Sequence, residues 1–196
     1  MLFQSYIFIL LFFPLCLLGF WGLKRRKLLQ LWLIAFSLWF YGAASPYYLL
    51  LLLGSIAWNY AFFCAIERGI GRVTERVSGN AMERAEYGME RDSSRKRLLL
   101  GIGIAGNLAL LCFFKYFNAI SAGWSQMKGL EDPILQLALP LGISFFTFQQ
   151  IGFLADAYKG EVGACSLREY VLFVSFFPYV SSGPIVNAQE MLPQYR

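Results

Sequence analysis

Long apolar runs divide this chain more sharply than any polar motif does. They extend from Leu2 to Leu23, from Leu28 to Ala44, from Pro46 to Ile66 and from Leu98 to Ile120. A bilayer core about 30 Å thick takes roughly 20 apolar residues of helix to cross, so each run is predicted to be a membrane helix. The first closes on the basic tetrad Lys24-Arg25-Arg26-Lys27, and the second meets the third at the uncharged pair Ser45-Pro46. Proline opening a helix loses no needed N–H. Tyr41, Tyr47 and Tyr48 are placed as interfacial anchors there.

Residues 67–97 break the apolar pattern with eight basic and six acidic side chains. Ile66, Ile70, Val73 and Val77 recur at helical spacing, a narrow apolar stripe among charges. Ser78-Gly79-Asn80 then reads as a turn, and Asn80 with Glu83 resembles a capping box opening a second helix. The stretch is therefore predicted as amphipathic helices on a membrane surface, anchored by Arg95, Lys96 and Arg97. A charged loop without regular structure is the alternative.

Past the loop from Ser121 to Pro133 the apolar runs become irregular. Ile134–Tyr158 is interrupted by Pro140 and Gly142, and Tyr170–Ile185 by Pro178 and Gly183-Pro184. Proline removes a backbone donor and disfavours helix at the residue before it. Broken backbone at membrane depth survives only when buried in protein or lining a watery cavity. These two segments are where function is expected to concentrate, and they are predicted to pack together. The fold class is thus all-α: a polytopic membrane bundle with short surface helices and broken or re-entrant helices near the C-terminal end. Its parts are 1–66, three membrane helices; 67–97, surface helices; 98–120, a fourth crossing; and 134–196, the broken-helix region.

Composition strengthens this reading. The 196 residues are 58% hydrophobic and only 15% charged, against about 25% charged in soluble domains. From Met1 to Ile66 the basic tetrad carries all the charge, so the solvent there is lipid. The net charge of +5 sits between apolar segments, which points to membrane topology and away from nucleic acid. Lys and Arg number four in the first loop and eight in the third, with none in the second and one in the fourth. The positive-inside rule then makes the first and third loops cytoplasmic and puts the N-terminus outside. The first run lacks a basic n-region and an A-x-A-like cleavage site, so it is read as a retained helix. Cys16, Cys64 and Cys112 fall in apolar runs, Cys165 does not, and no CxxC pair occurs. They read as small hydrophobes, with neither a disulfide framework nor a metal site supported.

The polar residues inside these runs are few. Gly101-x-Gly103-x-x-Gly106 spells a dinucleotide fingerprint, but a membrane helix after a basic loop is not the required strand–turn–helix. Close helix packing explains it. Lys115 lies toward the end of the fourth run, where it either snorkels to the headgroups or serves a functional role. Asp156 marks a helix end at the membrane surface, or a site. Gln149 and Gln150 lie deeper, and adjacent amides cannot both be left unsatisfied in lipid. The sequence contains no histidine, so any step that needs imidazole must take it from elsewhere.

From Leu139 onward the chain resembles the membrane-bound O-acyltransferase family, in its bacterial alginate O-acetyltransferase and teichoic-acid D-alanyl transferase branch. The residues that carry the likeness are Leu139-Pro140-Leu141-Gly142-Ile143-Ser144-Phe145-Phe146-Thr147-Phe148-Gln149 and Asp156-Ala157-Tyr158-Lys159-Gly160. Phe173-Val174-Ser175-Phe176-Phe177-Pro178 and Gly183-Pro184-Ile185 continue it, with weaker likeness at Tyr47–Asn59 and Asn107–Tyr116. The resemblance is to roughly the N-terminal two-fifths of a family member. It implies a many-helix enzyme of the bacterial inner membrane that moves an acyl group onto a hydroxyl of a surface polysaccharide. The implied donor is an acyl thioester, acetyl-CoA or an acyl carrier, and the implied partners are the lipid bilayer and an extracytoplasmic polysaccharide or a partner acyltransferase. The family's catalytic histidine is expected downstream of the residues matched here, so no catalytic residue is assigned within this chain and the chain alone is expected to be inactive. Lys115, Pro140, Ser144, Gln149, Asp156, Ser175, Pro178, Gly183 and Pro184 are the candidate cavity-lining residues. The alternative is a non-enzymatic membrane fragment or scaffold that persists by pairing with other helices.

Overall fold

The apolar runs wind into helices and the prolines mark where winding stops. A computed structural model describes residues 6, 8–23, 26–77, 82–127, 137–180 and 187–195, with the side chains of all of these except 26, 44, 69–93 and 180. A π-helical stretch, Phe8–Phe12, leads into α1, Phe13–Gly22. Pro14 stands in the first turn of α1, and the N–H it lacks would have bonded back into that π-wound stretch. Next come α2 (Arg26–Ala44), α3 (Pro46–Val77) and α4 (Met82–Met127). The helices α5 (Ile143–Lys159), α6 (Leu167–Ser175), α7 (Phe177–Val180) and α8 (Ala188–Tyr195) complete the order. No strand occurs among the described residues, and the chain is an all-α membrane bundle.

Helix lengths and surfaces agree on the solvent. Pro46–Arg68 and Ser94–Met127 are long and apolar enough to cross a bilayer. Leu18 and Leu50 are each 69% exposed, which water would penalise and lipid does not. Both long helices continue past their apolar parts, α3 through Val77 and α4 from Met82. α4 also runs on beyond Ile120 to Met127, where the Ser125 hydroxyl donates to the Ser121 carbonyl at 3.0 Å. The Ser78-Gly79-Asn80 turn, Lys24 and Arg25 of the tetrad, and residues 128–136 lie outside the described residues.

Side-chain bonds sort the connections onto opposite ends of the bundle. At one end, the segment 137–142 is held by Tyr41, which donates to the Leu141 carbonyl at 2.8 Å, and by Tyr48, which donates to that of Ala138. Asn118 grips Leu137 there, donating to its carbonyl at 2.7 Å and accepting from its N–H at 2.9 Å. At the other end, Tyr60 donates to the Cys165 carbonyl at 3.2 Å, and Gln189 donates to Glu161 at 3.0 Å. Lys27, Arg68, Arg95, Lys96 and Arg97 belong to that second end by their places on α2, α3 and α4.

The breaks have identifiable causes. Gly142 precedes α5 with φ 67°, a left-handed conformation that costs a Cβ-bearing residue about 1 kcal/mol or more. Pro140 before it cannot donate to a helix, so the chain turns sharply into α5. A capping box opens α6: Ser166 N–H donates to Glu169 at 2.8 Å and Glu169 N–H to the Ser166 hydroxyl at 3.4 Å. α6 stops at Phe176, and Phe177 N–H, freed by the break, donates to the Ser37 hydroxyl at 3.3 Å. Ser37 stands seven residues above Gln30 on α2, about 10 Å along its axis, so this break lies within the bundle. By Gln189 the chain is back beside Glu161. α6 enters, breaks inside and the chain returns to the end it left, which is a re-entrant path.

The buried interior is aromatic. Phe177 meets Phe8, Phe12 and Phe40 at ring separations of 6.2, 5.3 and 5.9 Å. Phe153 on α5 meets Phe63 at 5.1 Å, Tyr170 at 4.7 Å and Phe173 at 5.7 Å. Lipid tails are as apolar as these rings, so tight contact and interhelical hydrogen bonds hold the helices together.

Candidate functional site

In the interior of this bundle a chain of polar side chains ties α3, α4, α5 and α6. Asn59 on α3 and Asn107 on α4 face one another, each amide donating to the other's carbonyl, at 3.1 and 2.6 Å. Each Asn also donates one turn back on its own helix, to Ser55 O at 2.9 Å and Gly103 O at 2.8 Å. The Ser55 hydroxyl accepts from Gln150 on α5 at 3.0 Å, and Gln150 accepts from Tyr170 on α6 at 3.2 Å. Asn59, Asn107, Ser55, Gln150 and Tyr170 are all buried. Asn107 stands ten residues beyond Arg97, about 15 Å along α4. That is half of a bilayer core about 30 Å thick, so the amide pair lies near its midplane when Arg97 lies at its surface.

Beside this chain two buried polar atoms have no partner among the described residues: Thr147 Oγ1 and Gln149 Oε1. Gln149 Nε2 donates across to the Phe173 carbonyl on α6 at 3.0 Å, fixing the amide and leaving its oxygen as an open acceptor. Tyr195 Oη on α8 is likewise buried and unpartnered, and burial, then the nearby Tyr179, pushes its phenol well above the ordinary range.

The candidate residues distribute as follows. Gln149 and Ser175 are buried where α5 meets α6, Ser175 donating to Val171 O at 2.7 Å. Pro140 is buried at the turn into α5, whereas Ser144 and Pro178 are exposed. Lys115 is exposed on α4, its ammonium 5.9 Å from the Tyr116 ring centroid. Asp156 is partly buried in the last turn of α5, near Lys159 and Glu161. Gly183 and Pro184 lie outside the described residues. The structure thus buries Pro140, Gln149 and Ser175 and leaves Lys115, Ser144 and Pro178 exposed. Among the described residues no group of three His, Cys, Asp or Glu gathers as a metal set would.

Asn59 and Asn107 were not singled out by the sequence patterns. Their signal was available: each is a lone amide near the middle of an apolar span, where an unpaired amide is costly and a partner on another helix is expected. The set can orient and hold groups by hydrogen bonds. It contains amides, hydroxyls and a phenol, and none of these is a base near neutral pH.

The chain is 34% identical over its whole length to a peptidoglycan O-acetyltransferase of Helicobacter pylori, of which it covers 39%. It is 30% identical to the probable alginate O-acetylase AlgI of Pseudomonas putida and 28% to that of Pseudomonas aeruginosa, covering 37% and 34% of them. It therefore spans roughly a third to two-fifths of the length of these curated relatives, matching their N-terminal part. No family model matches the chain. No solved structure matches it.

Proposed function

Given that this chain corresponds to the N-terminal part of the membrane-bound O-acyltransferase-like O-acetyltransferases, we propose that the protein carrying it O-acetylates a cell-surface polysaccharide. The observation that carries the reading is the alignment of the whole chain, broken helices included, with proteins named for that transfer. The setting is the bacterial inner membrane, crossed several times, with the N-terminus outside. The donor is an acyl thioester, acetyl-CoA or an acyl carrier, on the cytoplasmic side. The acceptor is a hydroxyl of an alginate- or peptidoglycan-like polymer outside, reached directly or through a partner acyltransferase.

In that reaction the acceptor oxygen bonds to the thioester carbonyl carbon, the C–S bond breaks, and the hydroxyl proton leaves for the departing thiolate through a base. This chain has no histidine, so these 196 residues supply no imidazole base. What its own residues contribute is a wall. The α3–α6 polar chain fixes helix register, and Gln149 offers an oriented acceptor where α5 meets α6. Lipid could not satisfy the backbone freed at the α6 break, which supports a protein- or water-lined interior at that point.

Deleting the gene and measuring polysaccharide O-acetyl content by NMR tests this. Acetylation falls in the deletion strain and returns with the gene's full product, but not with residues 1–196 alone. Unchanged O-acetyl content in the deletion strain overturns the proposal.

A further inference from the structure

On the outward face of α4 a groove of about 560 Å³ is lined by Ser94, Arg97, Leu98, Gly101, Ile102 and Ala105. All six are exposed. They fall on one helix face, because residues three and four apart are neighbours there. Their order along the axis is graded, with a hydroxyl and a guanidinium at the charged end of the bundle and then about 10 Å of small and apolar surface running toward the midplane. Gly101 leaves open space between the larger side chains of this face, since a Cβ built on it meets nothing within 4 Å.

We propose that this groove binds an anionic phospholipid. The phosphate sits at Arg97 and Ser94, and an acyl chain lies over Gly101, between Leu98, Ile102 and Ala105. The charge selects the head: Arg97 is the basic residue on this face where α4 emerges, and a basic residue near a membrane surface attracts an anionic lipid by about 1 kcal/mol. Guanidinium and hydroxyl together suit a phosphate, with Arg97 supplying forked donors and Ser94 one more. Gradation selects the tail. A soluble anion would be served by the guanidinium alone, whereas the rest of the groove is apolar. Among the described residues nothing covers this face, and it runs along a helix long and apolar enough to cross a bilayer.

The test uses the gene's full product in nanodiscs of mixed phosphatidylglycerol and phosphatidylcholine, with retained lipid read by native mass spectrometry. The wild type retains phosphatidylglycerol about five-fold over phosphatidylcholine, as one basic contact of this kind gives. Gly101→Leu leaves every charge in place, fills open space and abolishes the preference. Arg97→Gln abolishes it as well, and Arg95→Gln does not. Either an unchanged preference in Gly101→Leu or equal losses in Arg95→Gln and Arg97→Gln would reduce the effect to general surface charge and overturn the site. Displacement of the retained lipid by coenzyme A would assign the groove to a soluble phosphate and overturn it too.

Discussion

Asn59 and Asn107 show how a residue that is poor in lipid becomes a fixing point. Each carboxamide has donors and an acceptor to satisfy, and the pair satisfies them by facing each other and by bonding one turn back. Interhelical hydrogen bonds of this kind contribute about 0.6 to 2 kcal/mol in membranes. Asn107→Leu therefore destabilises the bundle by about 1–2 kcal/mol, because it leaves the Asn59 carbonyl buried without its partner. Asn59→Leu/Asn107→Leu loses less than the sum of the single changes, as read by a double-mutant cycle on unfolding in detergent. Strict additivity would show that the two amides are not coupled. The sequence signalled that such polar residues need partners, as it did for Gln149 and Gln150, but pairing α3 with α4 required distance. Asn59 and Asn107 are 48 positions apart, and no local periodicity reports a contact at that range.

The elements themselves were legible wherever backbone chemistry decides locally. Pro140 and Gly142 marked the turn into α5, and Pro178 marked the break that ends α6 at Phe176. Apolar runs placed α1 to α4, but not the ends of α3 and α4, because continuing a helix past its apolar part costs little when charged side chains are solvated. What periodicity could not separate is the set of roles within Gly101-x-Gly103-x-x-Gly106. A Cβ on Gly103 would lie 2.9 Å from Leu154 Cδ1 on α5, and one on Gly106 would lie 3.0 Å from the Trp58 indole on α3. Gly101 faces open space. Gly103→Leu is expected to push α4 from α5 and lower stability by about 1–3 kcal/mol, in the range of overpacked cores. Gly101→Leu leaves thermal stability within about 0.5 kcal/mol. Comparing their melting temperatures in one detergent checks this, and equal losses would contradict the packing described.

For the molecule as a whole, the connections sort to two ends, and Lys27, Arg68, Arg95, Lys96 and Arg97 gather at one of them. On the positive-inside rule that end is proposed to be the cytoplasmic one. A single cysteine placed at Lys27 in a cysteine-free background is then expected to resist an impermeant thiol reagent on intact cells, while one at Met127 reacts. The reverse pattern would invert the orientation. The central proposal is chemical, however: these residues supply a wall for acyl transfer and no base for it. Acyl transfer to a hydroxyl draws about 10²–10⁴-fold from a positioned base, and among the described residues the buried polar groups are amides, hydroxyls and phenols apart from the Glu169 carboxylate that caps α6. The most direct measurement is transfer of labelled acetyl from acetyl-CoA to polysaccharide by purified residues 1–196, set against the gene's full product under the same conditions. The account predicts turnover by the full product and none above background by 1–196. Turnover by 1–196 alone would contradict it.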